Sequence, residues 1–188
     1  MRIISGFLKD KKIDFLKSKV TRPLRDFVKE NIFNIIKHSN LISIKLENAN
    51  VLDLYSGVGS FGIECISRGA KKSTFVENDN MALNTLKKNL YNLKIEEQSE
   101  VFNEKTTSFF NRLNNKEKFE IIFFDPPFAE NFFIEELITI KKSTFYMKKH
   151  LIIIHRDVKS LDEVDKIINI SLTRNYGRSR VIFGTFLT

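Results

Sequence analysis

The chain reads as an α/β protein built on a doubly wound, mostly parallel sheet of seven strands, and three features predict it. From Val51 onward, short apolar segments alternate with helical patterns, the signature of βα units. Two of those segments, Ile121 to Phe124 and Leu151 to Ile154, are apolar at every position, as suits central strands buried on both faces. A glycine-rich turn directly follows the first of the strands, where open α/β sheets bind ligands.

The N-terminal segments Arg2 to Ser5 and Lys12 to Leu16 suggest a small β-hairpin hinged near Lys9-Asp10. From Leu24, the residues Leu24, Phe27, Val28, Ile32, Ile35 and Ile36 recur at three- and four-residue steps and predict one helical stripe. Thr21 is the expected N-cap, and Pro23 near the start costs no internal hydrogen bond. His38 to Asn50 leads into the main body. We therefore expect one domain over residues 1–188, with residues 1–40 as a hairpin-plus-helix extension and 50–188 as the core that carries the site.

The expected strands of that core are VLDLY, STFVE, EVFN, EIIFF and LIII, separated by helical segments such as Asn80 to Leu93 with Met81, Leu83, Leu86 and Leu90. Ile167 to Thr173 and Arg180 to Leu187 complete the count as a C-terminal antiparallel hairpin. Its turn is placed at Arg174-Asn175-Tyr176-Gly177, with Gly177 available for a positive φ.

The composition is that of a folded domain, 42% hydrophobic and 29% charged, and excludes a disordered chain. Lys and Arg outnumber Asp and Glu by 31 to 23, so the surface attracts polyanions, nucleic acid foremost. Cys65 is the only cysteine, which rules out an intramolecular disulfide and places the residue in an apolar run as a core side chain. No run approaches the roughly 18 apolar residues of a membrane span, and MRIISGFLKDKK lacks an apolar signal region. A cytoplasmic protein is expected. His38, His150 and His155 are far apart and lack partners at ligand spacing, so no metal site is expected.

Two motifs carry chemistry. The first is Asp53-Leu54-Tyr55-Ser56-Gly57-Val58-Gly59-Ser60-Phe61-Gly62, a strand end, a glycine turn and a helix start, with Glu77 following at the end of the next strand. Gly57, Gly59 and Gly62 satisfy the dinucleotide pattern, so a nicotinamide or flavin binder is open at this point. Asp53 tilts the reading, because a carboxylate beside a helix N-terminus is awkward for pyrophosphate and favourable for a cation. S-adenosylmethionine has an ammonium and a sulfonium and no phosphate. Tyr55 and Asn78 complete the candidate cofactor-binding set with Asp53, Gly57, Gly59 and Glu77.

The second motif, Asp125-Pro126-Pro127-Phe128, follows the buried strand EIIFF. Two adjacent prolines make a stiff loop. An exocyclic base amine is a poor nucleophile; if Asp125 and the Pro126 carbonyl accept its hydrogens, the lone pair is aimed at the methyl group. Asp125 then eases loss of the surplus proton and Phe128 stacks on the base, which must leave its own stack to be reached.

On these motifs the chain resembles the bacterial 16S rRNA (guanine-N2)-methyltransferases of the RsmD type. The likeness includes MRIISG, Thr21-Arg22-Pro23 with the helix start that follows, VLDLYSGVGSFGIECISRGA with Glu77, FFDPPF, and Arg174-Asn175-Tyr176-Gly177. The resemblance implies a Rossmann-like S-adenosylmethionine-dependent methyltransferase, with 16S rRNA or the small ribosomal subunit as partner; a monomer is expected. It places Arg22 near the crevice; Lys11 and Lys12 are the other expected substrate contacts. The sequence departs from the family in having Lys105 where an acid or amide usually meets the adenine amine, and in lacking a glycine-arginine pair at the hairpin tip. The competing readings are an adenine-N6 DNA methyltransferase and a non-catalytic RNA-binding assembly factor.

Overall fold

A computed structural model describes residues 1–16, 24–112, 117–127, 132–143 and 145–187. Its centre is a seven-stranded sheet in the order β3-β2-β1-β4-β5-β7-β6. The strands are β1 (Asn50–Leu54), β2 (Lys72–Glu77), β3 (Ser99–Asn103), β4 (Phe119–Phe124), β5 (Tyr146–Asp157), β6 (Ile168–Tyr176) and β7 (Ser179–Phe186). β1 to β5 pair in parallel, and β7 runs antiparallel to both β5 and β6. The doubly wound sheet and its terminal hairpin are therefore as the sequence predicts.

Side chains alternate across each strand, so the sheet has two apolar faces. On one face Leu52, Leu54, Ile122, Phe124, Ile152 and Ile154 pack beneath α4 (Thr106–Arg112) and α5 (Phe133–Ser143). On the other, Val51, Ile121, Phe123 and Ile153 meet α1 (Asp26–His38) and α2 (Ser60–Ser67). A run of rings, Phe33 on Phe61 at 5.2 Å and Phe61 on Phe123 at 4.0 Å, joins α1 to the sheet through α2. Helix α3 (Asn80–Leu93) has the predicted boundaries and is capped by the Asp79 carboxylate, which accepts from the Ala82 amide at 2.8 Å. Cys65 is fully buried in this core, and burial pushes its thiol pKa up.

Four local expectations change. The N-terminal hairpin is reduced to one antiparallel bridge, Arg2 to Lys12, around a turn in which Asp10 has φ 67°. Helix α1 begins at Asp26 with Arg25 at its N-cap; Thr21 and Pro23 lie outside the described residues. Phe27, expected on the inward stripe, is 63% exposed, because at the helix start it turns out to meet Tyr176 edge-on. The C-terminal turn is tighter than expected: Arg174 to Tyr176 belong to β6, and Gly177, at φ 60°, turns the chain with Arg178.

The N-terminal loop is fastened to α2 by buried charge. Glu64, fully buried, accepts from the Ile4 and Ser5 amides at 2.8 and 3.0 Å and from Arg68 Nε at 2.7 Å. Lys29, also fully buried, lies 3.5 Å from the same carboxylate and donates to the Arg2 carbonyl at 2.9 Å. Burial pulls the Lys29 pKa down, while Glu64 and Asp26 oppose that shift. Gly6 sits so close to α2 that a Cβ there would stand 1.7 Å from the Ser67 carbonyl oxygen. Among the described residues no helix is long and apolar enough to cross a membrane.

Candidate active site

Strand register brings the motifs together. Leu54 of β1 pairs with Val76 of β2 and Phe124 of β4, and Phe124 pairs with Ile154 of β5. The next residue in each chain segment is Glu77, Tyr55, Asp125 and His155, so these four share one row at the carboxyl edge of the sheet. Adjacent strands lie about 4.8 Å apart, which puts the glycine turn and the aspartate-proline loop side by side.

The glycine turn uses its special residues in different ways. Gly57 adopts φ 55°, and nothing lies within 4 Å of where its Cβ would be, so the backbone is open to a ligand. At Gly62 a Cβ would come within 2.3 Å of the Phe75 ring, so this glycine permits α2 to lie against β2. Tyr55 holds φ 59°, a left-handed conformation that costs a non-glycine residue energy. Its hydroxyl donates to Glu136 of α5 at 2.6 Å, and Thr106 at the start of α4 bonds the same buried carboxylate.

Three acids surround the turn. Glu77 accepts the Gly57 amide at 2.7 Å on one oxygen and the Asn78 and Asp79 amides at 2.9 and 2.8 Å on the other. Asp53, only 1% exposed, accepts the Gly62 amide at 2.9 Å and so ties β1 to the helix start. Burial pushes the Asp53 pKa well above the usual carboxylate value; the Gly62 bond opposes this, and the charges of Asp125 and Glu77 add to it. The segment from Asp53 to Gly62 has no lysine or arginine. A pyrophosphate would meet repulsion here, whereas a cationic ligand would relieve the mutual repulsion of the acids. These residues therefore fit S-adenosylmethionine better than a dinucleotide.

Asp125 is held from β5. Its Oδ1 lies 2.7 Å from Nδ1 of His155, and an ionised carboxylate only accepts, so the imidazole N–H donates. The next residue, Arg156, donates from Nη1 to the Pro127 carbonyl at 3.0 Å. Arg156 is itself buried, bonded to Asp162 at 2.8 and 3.3 Å, and its guanidinium lies 4.4 Å from the Phe133 ring centre. Pro126 is buried beside them and Pro127 is exposed.

Of the residues expected from sequence, Asp53, Tyr55, Gly57, Glu77, Asp125, Pro126 and Pro127 meet at this edge, with Gly59 and Asn78 in the flanking turns. Phe128 and Arg22 lie outside the described residues. Lys11 and Lys12 are exposed on the N-terminal loop, where Lys12 lines a groove with Thr85 and Lys88 of α3. Lys105 is exposed and its carbonyl accepts the Phe109 amide in the first turn of α4. His155, Arg156, Glu136 and Thr106 were not anticipated. For the first two a signal existed: they directly follow the buried run LIII, and strand carboxyl ends are where ligands bind. Glu136 and Thr106 have no such mark in the sequence.

A family model described as conserved hypothetical protein 95 matches residues 1–185. The chain belongs to this family, that of the RsmD-type methyltransferases. Ribosomal RNA small subunit methyltransferase D of Haemophilus influenzae is 37% identical over 154 residues, covering 81% of this chain and 76% of the relative. The protein of the same name from Escherichia coli is 29% identical over 160 residues, covering 85% and 76%. Among solved structures, a candidate methyltransferase from Escherichia coli superposes with TM-score 0.83 at 26% identity, over 99% of this chain and 97% of that one. A candidate methylase from Haemophilus influenzae gives 0.77 at 29% identity, over 100% and 98%. Family and fold together support a methyltransferase.

Proposed function

We propose that the protein is an S-adenosylmethionine-dependent methyltransferase acting on the N2 amine of a guanine in 16S ribosomal RNA of the small subunit. The observation that carries this reading is the Asp125 carboxylate, fixed at the sheet edge one strand away from a glycine turn ringed by acids. S-adenosylmethionine would be held by Asp53, Gly57 and Glu77, and when bound it supplies an electrophilic methyl group on a sulfonium.

The chain's own residues do the rest. Glu77, at the end of β2, is placed to accept hydrogen bonds from ribose hydroxyls, and the open backbone at Gly57 admits the ligand. Asp125 and the Pro126 carbonyl accept the two amine hydrogens, which orients a nitrogen whose lone pair is otherwise delocalised into the ring. The surplus proton that methylation of the nitrogen would release passes to Asp125. The choice of ribosomal RNA is supported by the names of the relatives, and the choice of guanine by the resemblance alone. The basic surface, with formal charge +8, suits a polyanionic acceptor.

Two measurements test this. Undermethylated small subunits and duplex DNA, offered together as methyl acceptors, should compete with subunits strongly preferred; preference for DNA overturns the assignment. Glu77→Ala should weaken S-adenosylmethionine binding by roughly 10- to 100-fold in calorimetry, the cost of losing charge-assisted hydrogen bonds. Unchanged affinity would remove Glu77 from the cofactor site.

A further inference from the structure

We propose that His155 is a positioning residue for Asp125, occupying one carboxylate oxygen so that the other is presented to the target amine in a fixed plane. This rests on the reading of Asp125 as the group that receives the amine. Sequence spacing gives His155 no ligand role, and the structure gives it a different one.

The geometry has three parts. Register places His155 beside Asp125, because Ile154 and Phe124 are paired one residue earlier. The Nδ1 to Oδ1 separation is 2.7 Å, within the range of a charge-assisted bond, and the imidazole side chain is only 5% exposed while the carboxylate is 20% exposed. Donor and acceptor thus stand at the boundary of core and crevice, with the donor on the core side. Third, Arg156 grips the Pro127 carbonyl at 3.0 Å, so consecutive β5 residues hold both ends of the Asp125 to Pro127 segment.

A brace of this kind has a specific use. The last torsion of an aspartate is broad and roughly two-fold, so a carboxylate tethered only through Cα samples many planes. One hydrogen bond from a strand residue removes that freedom. Oδ2 is then left for the amine hydrogen and afterwards for the surplus proton, while His155 neither gives nor takes a proton in the step. Such an effect acts on the orientation of the amine, and therefore on turnover more than on binding.

The test compares His155→Ala with His155→Asn, whose side-chain amide N–H falls where Nδ1 stands. Methyl transfer to undermethylated small subunits is measured with kcat and KM for both substrates, after correction for the folded fraction. His155→Ala should lower kcat roughly 10- to 100-fold with KM nearly unchanged, as expected for a misplaced catalytic group. His155→Asn should recover most of the loss. Wild-type turnover in the alanine variant, or an asparagine variant as impaired as alanine, overturns the proposal.

A readout without substrate keeps the test independent of the methyltransferase assignment. In proton NMR of the full chain the Nδ1–H should appear as a protected downfield resonance that shifts in Asp125→Asn. Its absence, or its indifference to that substitution, also overturns the proposal. Failure of the wild-type protein to methylate any nucleic acid sinks the assigned function and leaves this resonance as the arbiter of the brace.

Discussion

Asp125→Ala should lower methyl transfer by roughly 10²- to 10⁴-fold while leaving S-adenosylmethionine affinity within a few-fold of wild type, the range expected when a positioned acid-base group is removed. The split is the informative part. Asp125 lies one strand from the glycine turn, and its described side-chain partner is His155 rather than any group in that turn. The cofactor contacts proposed for Asp53, Gly57 and Glu77 are then untouched by the substitution. Single-turnover transfer and calorimetry on the same preparation would measure both quantities. Full transfer in the variant refutes the role given to Asp125, and loss of cofactor binding moves that residue to the other side of the crevice.

The second large effect concerns stability. Glu64→Ala should destabilise the fold by roughly 3–5 kcal/mol, because it leaves a buried ammonium without its main counter-charge. Lys29 would retain the Arg2 carbonyl and a distant Asp26 at 3.9 Å, and the Ile4 and Ser5 amides would lose their acceptor. At ordinary urea sensitivity this lowers the unfolding midpoint by about 2 M. The double variant Lys29→Met, Glu64→Ala should regain part of the loss, since an apolar side chain is content where an unpaired charge is not. A single variant that loses under about 1 kcal/mol would show that the N-terminal loop is not held by this network.

Most of the fold is legible in the sequence because its signals are local and strong. The runs EIIFF and LIII read as strands buried on both faces, and Asn80 to Leu93 shows helical periodicity. The N-terminal hairpin is shorter than its two segments suggest: Ile3 and Ile13 donate to the Lys11 and Met1 carbonyls around the Arg2 to Lys12 bridge, and the rest of the ordering comes from Glu64 and Ser67, some sixty residues away. Phe27 misleads because periodicity assigns a helix face without knowing that β6 ends beside it.

The site divides in the same way. Asp53, Gly57, Glu77 and Asp125 can be singled out in the sequence because their motifs force backbone shapes that few other roles require. His155 and Arg156 matter only once β4 and β5 are known to be neighbours, since register, and not spacing in the chain, sets them beside the aspartate-proline loop. The bond between Tyr55 and Glu136 likewise spans the sheet and helix layers, and no pattern within either segment announces it.

The most direct test is to incubate the protein with S-adenosylmethionine and small subunits from a methylation-deficient strain, then map the product by mass spectrometry. The account predicts one added methyl group on the exocyclic N2 of a guanine in 16S ribosomal RNA. A methyl group on another atom or another base, or none at all, would contradict it.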